Sequence, residues 1–210
     1  MKTKHLLLLV GLLILLSCKK DDETDTVGGT QSAIGAVNNS FAVSAIPGVQ
    51  TFNAKVTALE NGISTITWTA GVTDPSVLAV ISALSGSANE GASFTRTSKY
   101  KITSEGIESV YPEGNLILVK YGAKVGDTWS RTIKSSSISR TVTNVSTADD
   151  YSWNNMQIKT INVSETGRGL PGVSKIEFIF NHKFGIVGLM VYLEDGTARK
   201  ISIFSKNTNS

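Results

Sequence analysis

This 210-residue chain holds one cysteine and two histidines. Each shortage closes off a class of chemistry. The single cysteine, Cys18, has no partner for a disulfide within the chain, and there is no cysteine cluster to hold zinc or iron–sulfur. The histidines are His5 and His182, too few for a zinc site built mainly on imidazoles. No Gly-x-Ser-x-Gly elbow, EF-hand loop or phosphate-cradling glycine loop occurs. The formal net charge is +3 with no basic block, which gives no reason to expect a nucleic-acid partner. No apolar run reaches the roughly 20 residues that span a bilayer as a helix, and no repeat of solenoid or propeller length is present. The expectation is a protein without cofactor or metal.

The first residues are the most informative. Lys2 and Lys4 precede an unbroken apolar run over residues 6–16. That run fits the h-region of a secretion signal covering residues 1–17. It ends in Leu15-Leu16-Ser17-Cys18, which resembles the lipobox of bacterial lipoproteins. The resemblance implies cleavage before Cys18 and acylation of its thiol and of the new amine. One acyl chain binds a membrane only marginally, whereas two or three hold durably. Lys19 and Lys20 are followed by Asp21, Asp22 and Glu23. This cluster resembles the export signal of Bacteroidetes-type surface lipoproteins and implies display on the outer face of the outer membrane. A solvated acidic tether facing the periplasm is the alternative. His5 leaves with such a signal, so His182 becomes the only histidine of the mature chain.

Residues 18–48 read as the lipidated cysteine and a flexible tether. They are rich in small and polar residues with no sustained apolar period. A coil of this length reaches roughly 30 Å. The more apolar stretch at 42–49 is the part expected to approach the domain. Residues 49–210 then form one domain, long enough for a sizeable core.

Within that domain the period is two, the mark of half-buried strands. Strands are expected over residues 49–59, 63–70, 92–103, 106–111, 115–121, 129–134, 138–145, 155–165, 173–181, 187–194 and 197–205. Asn61-Gly62, Pro112-Glu113-Gly114 and Asp195-Gly196 supply turn chemistry between them. The expected fold is all-β, an antiparallel meander of about ten strands forming a curved sheet, half-barrel or sandwich. One short helix is expected near 75–84, with Asp74 as its cap, Pro75 at the first helical position, and Val77, Val80, Ile81 and Leu84 at helical spacing. A buried strand through the same residues is the alternative. Residues 124–129 and 181–196 resemble turns and late hairpins of curved-sheet envelope lipoproteins. That resemblance implies an open half-barrel around an apolar cavity and transfers no binding residue. Trp129 and Phe184 are expected in the core.

Candidate binding residues cluster in two turns. Asp149, Asp150, Tyr151, Trp153 and Asn154 combine rings that stack on sugar faces with groups that bond hydroxyls. The competing reading turns Tyr151 or Trp153 inward to cap the core. His182 sits between two expected strands, as a turn residue or beside a cavity mouth. The acid pairs Glu105/Glu108, Asp149/Asp150 and Glu194/Asp195 read as solvated turn carboxylates. A glycosidase would need two carboxyls roughly 5–9.5 Å apart in a cleft.

The function expected from these observations is a lipid-anchored envelope protein with no catalytic residues, binding an apolar small molecule in a β-sheet cavity. A glycan- or protein-binding adhesion module is the second reading, and a hydrolase the third. The expected partners are the membrane, through the N-terminal lipid, and an unidentified small molecule, glycan or envelope protein.

Overall fold

The computed structural model describes residues 26–74 and 93–209. The lipobox, Cys18, the cluster Lys19–Glu23 and the expected helix near 75–84 lie outside the described residues.

The fold is all-β. Among the described residues, twelve antiparallel strands form one sheet that curls until it is nearly closed into a barrel. The chain lays down β1 (Ser40–Val43), β2 (Val49–Glu60), β3 (Ile63–Val72), β4 (Ser93–Ile102), β5 (Gly106–Val110) and β6 (Leu116–Lys120) as successive neighbours. It then crosses to the far edge for β7 (Thr128–Ile133) and β8 (Ser136–Val145). The return runs through β11 (Ile161–Thr166), β12 (Val173–Asn181), β13 (Gly185–Leu193) and β14 (Ala198–Ser205). Finally β14 pairs with β1, with Phe41 opposite Ser205 and Val43 opposite Ile203. A two-stranded hairpin, β9 (Tyr151–Trp153) and β10 (Met156–Ile158), is inserted between β8 and β11.

Local chemistry explains most hairpins. Asn61 and Gly62 both have positive φ (51° and 76°), the requirement of a tight turn that matches the twist of β2 and β3. Asn154 and Asn155 do the same between β9 and β10, at φ 45° and 61°. The eleven-residue segment expected over 155–165 is divided, because its first half turns out of the main sheet to pair with β9.

Sequence neighbours β6 and β7 are not paired. They are the two edges of the sheet, and side chains bridge the seam between them. Arg140 Nη1 on β8 donates to the Ile117 carbonyl on β6 at 2.8 Å, and Arg131 Nη2 on β7 donates to the Glu113 carbonyl at 2.6 Å. The first of these bonds satisfies a carbonyl of edge strand β6 that would otherwise be open to pairing with another chain, and the second ties the turn before β6 to β7. Leu116, Ile117, Leu118 and Val119 of β6 are all buried, so this edge is covered on both faces.

Residues 26–48 differ from the tether expected on composition: they belong to the fold. Val27 is 1% exposed, Ile34 2% and Asn39 0%. A 3-10 turn, Ala33–Gly35, is capped by Ser32 Oγ, which accepts from the Ile34 amide at 3.1 Å. Asn39 ties this turn to the C-terminus. Its Nδ2 donates to the Ile34 carbonyl at 2.6 Å, and its Oδ1 accepts from the Asn207 amide at 2.8 Å. Gly35 lies so close to β3 that a Cβ would meet Ser64 Oγ at 2.5 Å. Polar composition hid this because few apolar side chains are involved and the rest of the binding is by long-range hydrogen bonds.

The lower core gathers where this segment closes the barrel. Val27, Ile34, Ile102, Ile107, Trp129 and Phe180 belong to it, so the expected core place of Trp129 is observed. A second core lies on the outer face, where the β9–β10 hairpin folds over β12–β14. There Trp153 packs on Phe184 and Phe204, with ring centroids 4.6 and 5.6 Å away.

Candidate ligand-binding cavity

Alternation along the strands points one set of side chains into the barrel. Above the closed lower end these side chains do not meet. They surround a cavity of about 1140 Å³, at or above the upper end of the usual range for small-molecule sites. Phe52, Ile66 and Trp68 line it from β2 and β3; Phe178, Leu189 and Ile201 line it from β12–β14. Ile34 and Phe180 belong to its floor. The lining residues Ala45, Pro47, Pro171, Glu194, Asp195 and Arg199 are exposed and mark the open end.

The wall is not wholly apolar. Arg140 on β8 stands opposite Glu165 on β11 in the cross-strand register, and Arg168 follows in the β11–β12 loop. Arg140 Nε donates to Glu165 Oε2 at 2.8 Å, with a second bond from its Nη2. Arg168 Nε donates to Oε1 at 2.6 Å and its Nη2 to Oε2 at 2.9 Å. Arg140 and Glu165 are each 2% exposed. Burial alone would raise the Glu165 carboxyl, but the hydrogen bonds from Arg168 and the charge of Arg140 outweigh it and hold the group below the ordinary glutamate value. Arg140 also lies over the Phe178 ring, 5.3 Å from its centroid.

Hydroxyls join this cluster. Ser98, Tyr100, Ser109 and Tyr111 line the cavity from β4, β5 and the turn that follows. Burial raises the Tyr100 phenol, with Tyr111 adding to the effect, so it keeps its proton at neutral pH. Tyr111 lines the same cavity as the Arg168 guanidinium.

No protein family, curated protein or solved structure matches this chain.

The candidate residues read from the sequence lie elsewhere. Asp149 and Asp150 are exposed, and Asp150 Oδ1 accepts from Ser146 Oγ at 2.8 Å. Tyr151 is half-buried with Lys200 Nζ 4.2 Å from its ring centroid. Trp153 is buried, and its Nε1 donates to the Ile203 carbonyl at 2.9 Å. Asn154 is an exposed turn residue. His182 is exposed, its carbonyl accepting from Asn209 Nδ2 at 2.8 Å. None of the six lines the cavity.

Glu108, grouped with Glu105 as a solvated turn acid, is instead fully buried on β5. It accepts from the Val27 amide at 3.0 Å, Thr26 Oγ1 at 3.1 Å and Asn115 Nδ2 at 2.7 Å. It holds the start of the described chain against the barrel wall.

Arg140, Glu165 and Arg168 escaped the sequence reading, although two of them left a signal. Arg140 falls on the apolar face set by Ile138 and Val142, and Glu165 on that set by Ile161 and Val163. A charge on the buried face of a strand calls for a partner, since unpaired burial costs several kcal/mol.

Proposed function

We propose that this protein is a non-enzymatic, lipid-anchored module of the bacterial cell envelope, displayed at the surface, that takes up a largely apolar small molecule. The observation that carries the binding part is the large, mostly apolar cavity enclosed by the sheet and open at one end. The N-terminal sequence supports the anchored part. A hydrophobic site held beside a membrane suits a molecule that is poorly soluble in water.

Native mass spectrometry of the full chain, before and after organic extraction, tests the binding part. A small molecule lost on extraction supports a carrier or sensor. A protein that carries nothing and takes up no added apolar probe overturns the reading and favours an adhesion module acting through its outer surface. For the anchor, Cys18→Ser is expected to abolish partitioning into a detergent phase; unchanged partitioning refutes it. For surface display, replacing Asp21, Asp22 and Glu23 with Ala is expected to protect the protein from protease added to intact cells.

A further inference from the structure

We infer that the cavity selects an amphipathic anion, with an apolar body and one carboxylate or phosphate head seated at Arg168 and Arg140. This rests on the proposed binding reading and narrows its ligand class.

The argument is one of charge and placement. The buried cluster sets two guanidinium groups against one carboxylate, a surplus of one positive charge. Both oxygens of Glu165 are already bonded to the arginines. Glu165 itself does not line the cavity, whereas Arg140 and Arg168 do. The enclosed space therefore meets the cations and not their counterion. The other charged lining residues, Glu194, Asp195, Arg199 and Lys200, are exposed at the mouth and balance two against two. Among the described residues, the only enclosed charge is thus positive.

Guanidinium is the group whose planar fork matches a carboxylate or phosphate. Inside a low-dielectric wall its attraction for an anion is far stronger than in water. Tyr111 and Tyr100 line the cavity together with the two arginines and add hydroxyls to that part of the wall. The apolar walls continue from there past Phe178 and Ile66 to the floor at Ile34, leaving room for the body of the ligand. A cationic head would meet the same surplus as repulsion.

The test is calorimetric titration of the full chain in amphipol with three probes of equal chain length: decanoate, decanol and decyltrimethylammonium. Decanoate is expected to bind about tenfold tighter than decanol or better, with the ammonium weakest. Arg168→Gln, which leaves the Arg140–Glu165 pair intact and neutral, is expected to erase the preference for decanoate over decanol. Arg168→Lys is expected to retain part of it. Equal binding of decanoate and decanol, or a preference for the ammonium, overturns the head-group assignment while the cavity reading survives. Failure of all three probes to bind overturns both. Comparison with decyl phosphate decides which oxyanion fits better.

Discussion

Arg140 and Glu165 face each other across adjacent strands, their side chains joined at 2.8 Å and both almost wholly shielded from solvent. The pair joins the seam of the barrel to its interior, because Arg140 also donates to the Ile117 carbonyl on the opposite edge. Removing one member strands the other. Glu165→Ala is expected to destabilise the fold by about 3–5 kcal/mol. Urea unfolding of the variant beside the wild type checks this; a midpoint within error of wild type refutes it.

The same carboxylate predicts an acid limb. Its folded value lies below the ordinary 4.5. A depressed carboxyl contributes stability that is fully present above the unfolded value and is lost as pH falls through the folded one. Thermal midpoints measured from neutral pH downward are expected to fall below about pH 4.5, less steeply in Glu165→Gln. Parallel curves for the two proteins would assign the acid limb to other groups.

Trp153 is the keystone of the outer core. Its ring lies between Phe184 and Phe204, and its indole N–H is bonded to β14. Trp153→Ala is expected to cost about 3–5 kcal/mol. Proteolysis is expected to begin in the β9–β10 hairpin of that variant, and an unchanged cleavage pattern would show that the hairpin is held by something else.

The segment before β2 carries a further prediction. A chain starting at Val49 lacks β1, so β2 and β14 lose their shared neighbour, and it also lacks Ile34 from the floor. Such a chain is expected to unfold at lower temperature than the full chain and to be cut rapidly by protease. Equal melting temperatures would return this segment to the role of a tether.

Much of the architecture was legible in the sequence because strand alternation and turn chemistry are local. Val173–Asn181 reads as a strand from its own residues, and Asn61-Gly62 reads as a hairpin from two positions. Composition likewise placed the chain in the all-β class, and its scarcity of histidine and cysteine narrowed the chemistry. Period two, however, says which side chains share a face and not which strand lies beside which. Only the tertiary structure decided that β14 closes on β1 and that β6 and β7 become edges. It also decided that Trp153 is buried against the outer face of the sheet and that a polar stretch with a few buried anchors is part of the barrel. The meeting of Arg140, Glu165 and Arg168 was decided there too. Arg140 comes from β8, and an inserted hairpin separates it in the chain from Glu165 on β11, so no local pattern could pair them. Their proximity depends on the register of two strands within a sheet that closes over a distance the sequence does not encode locally.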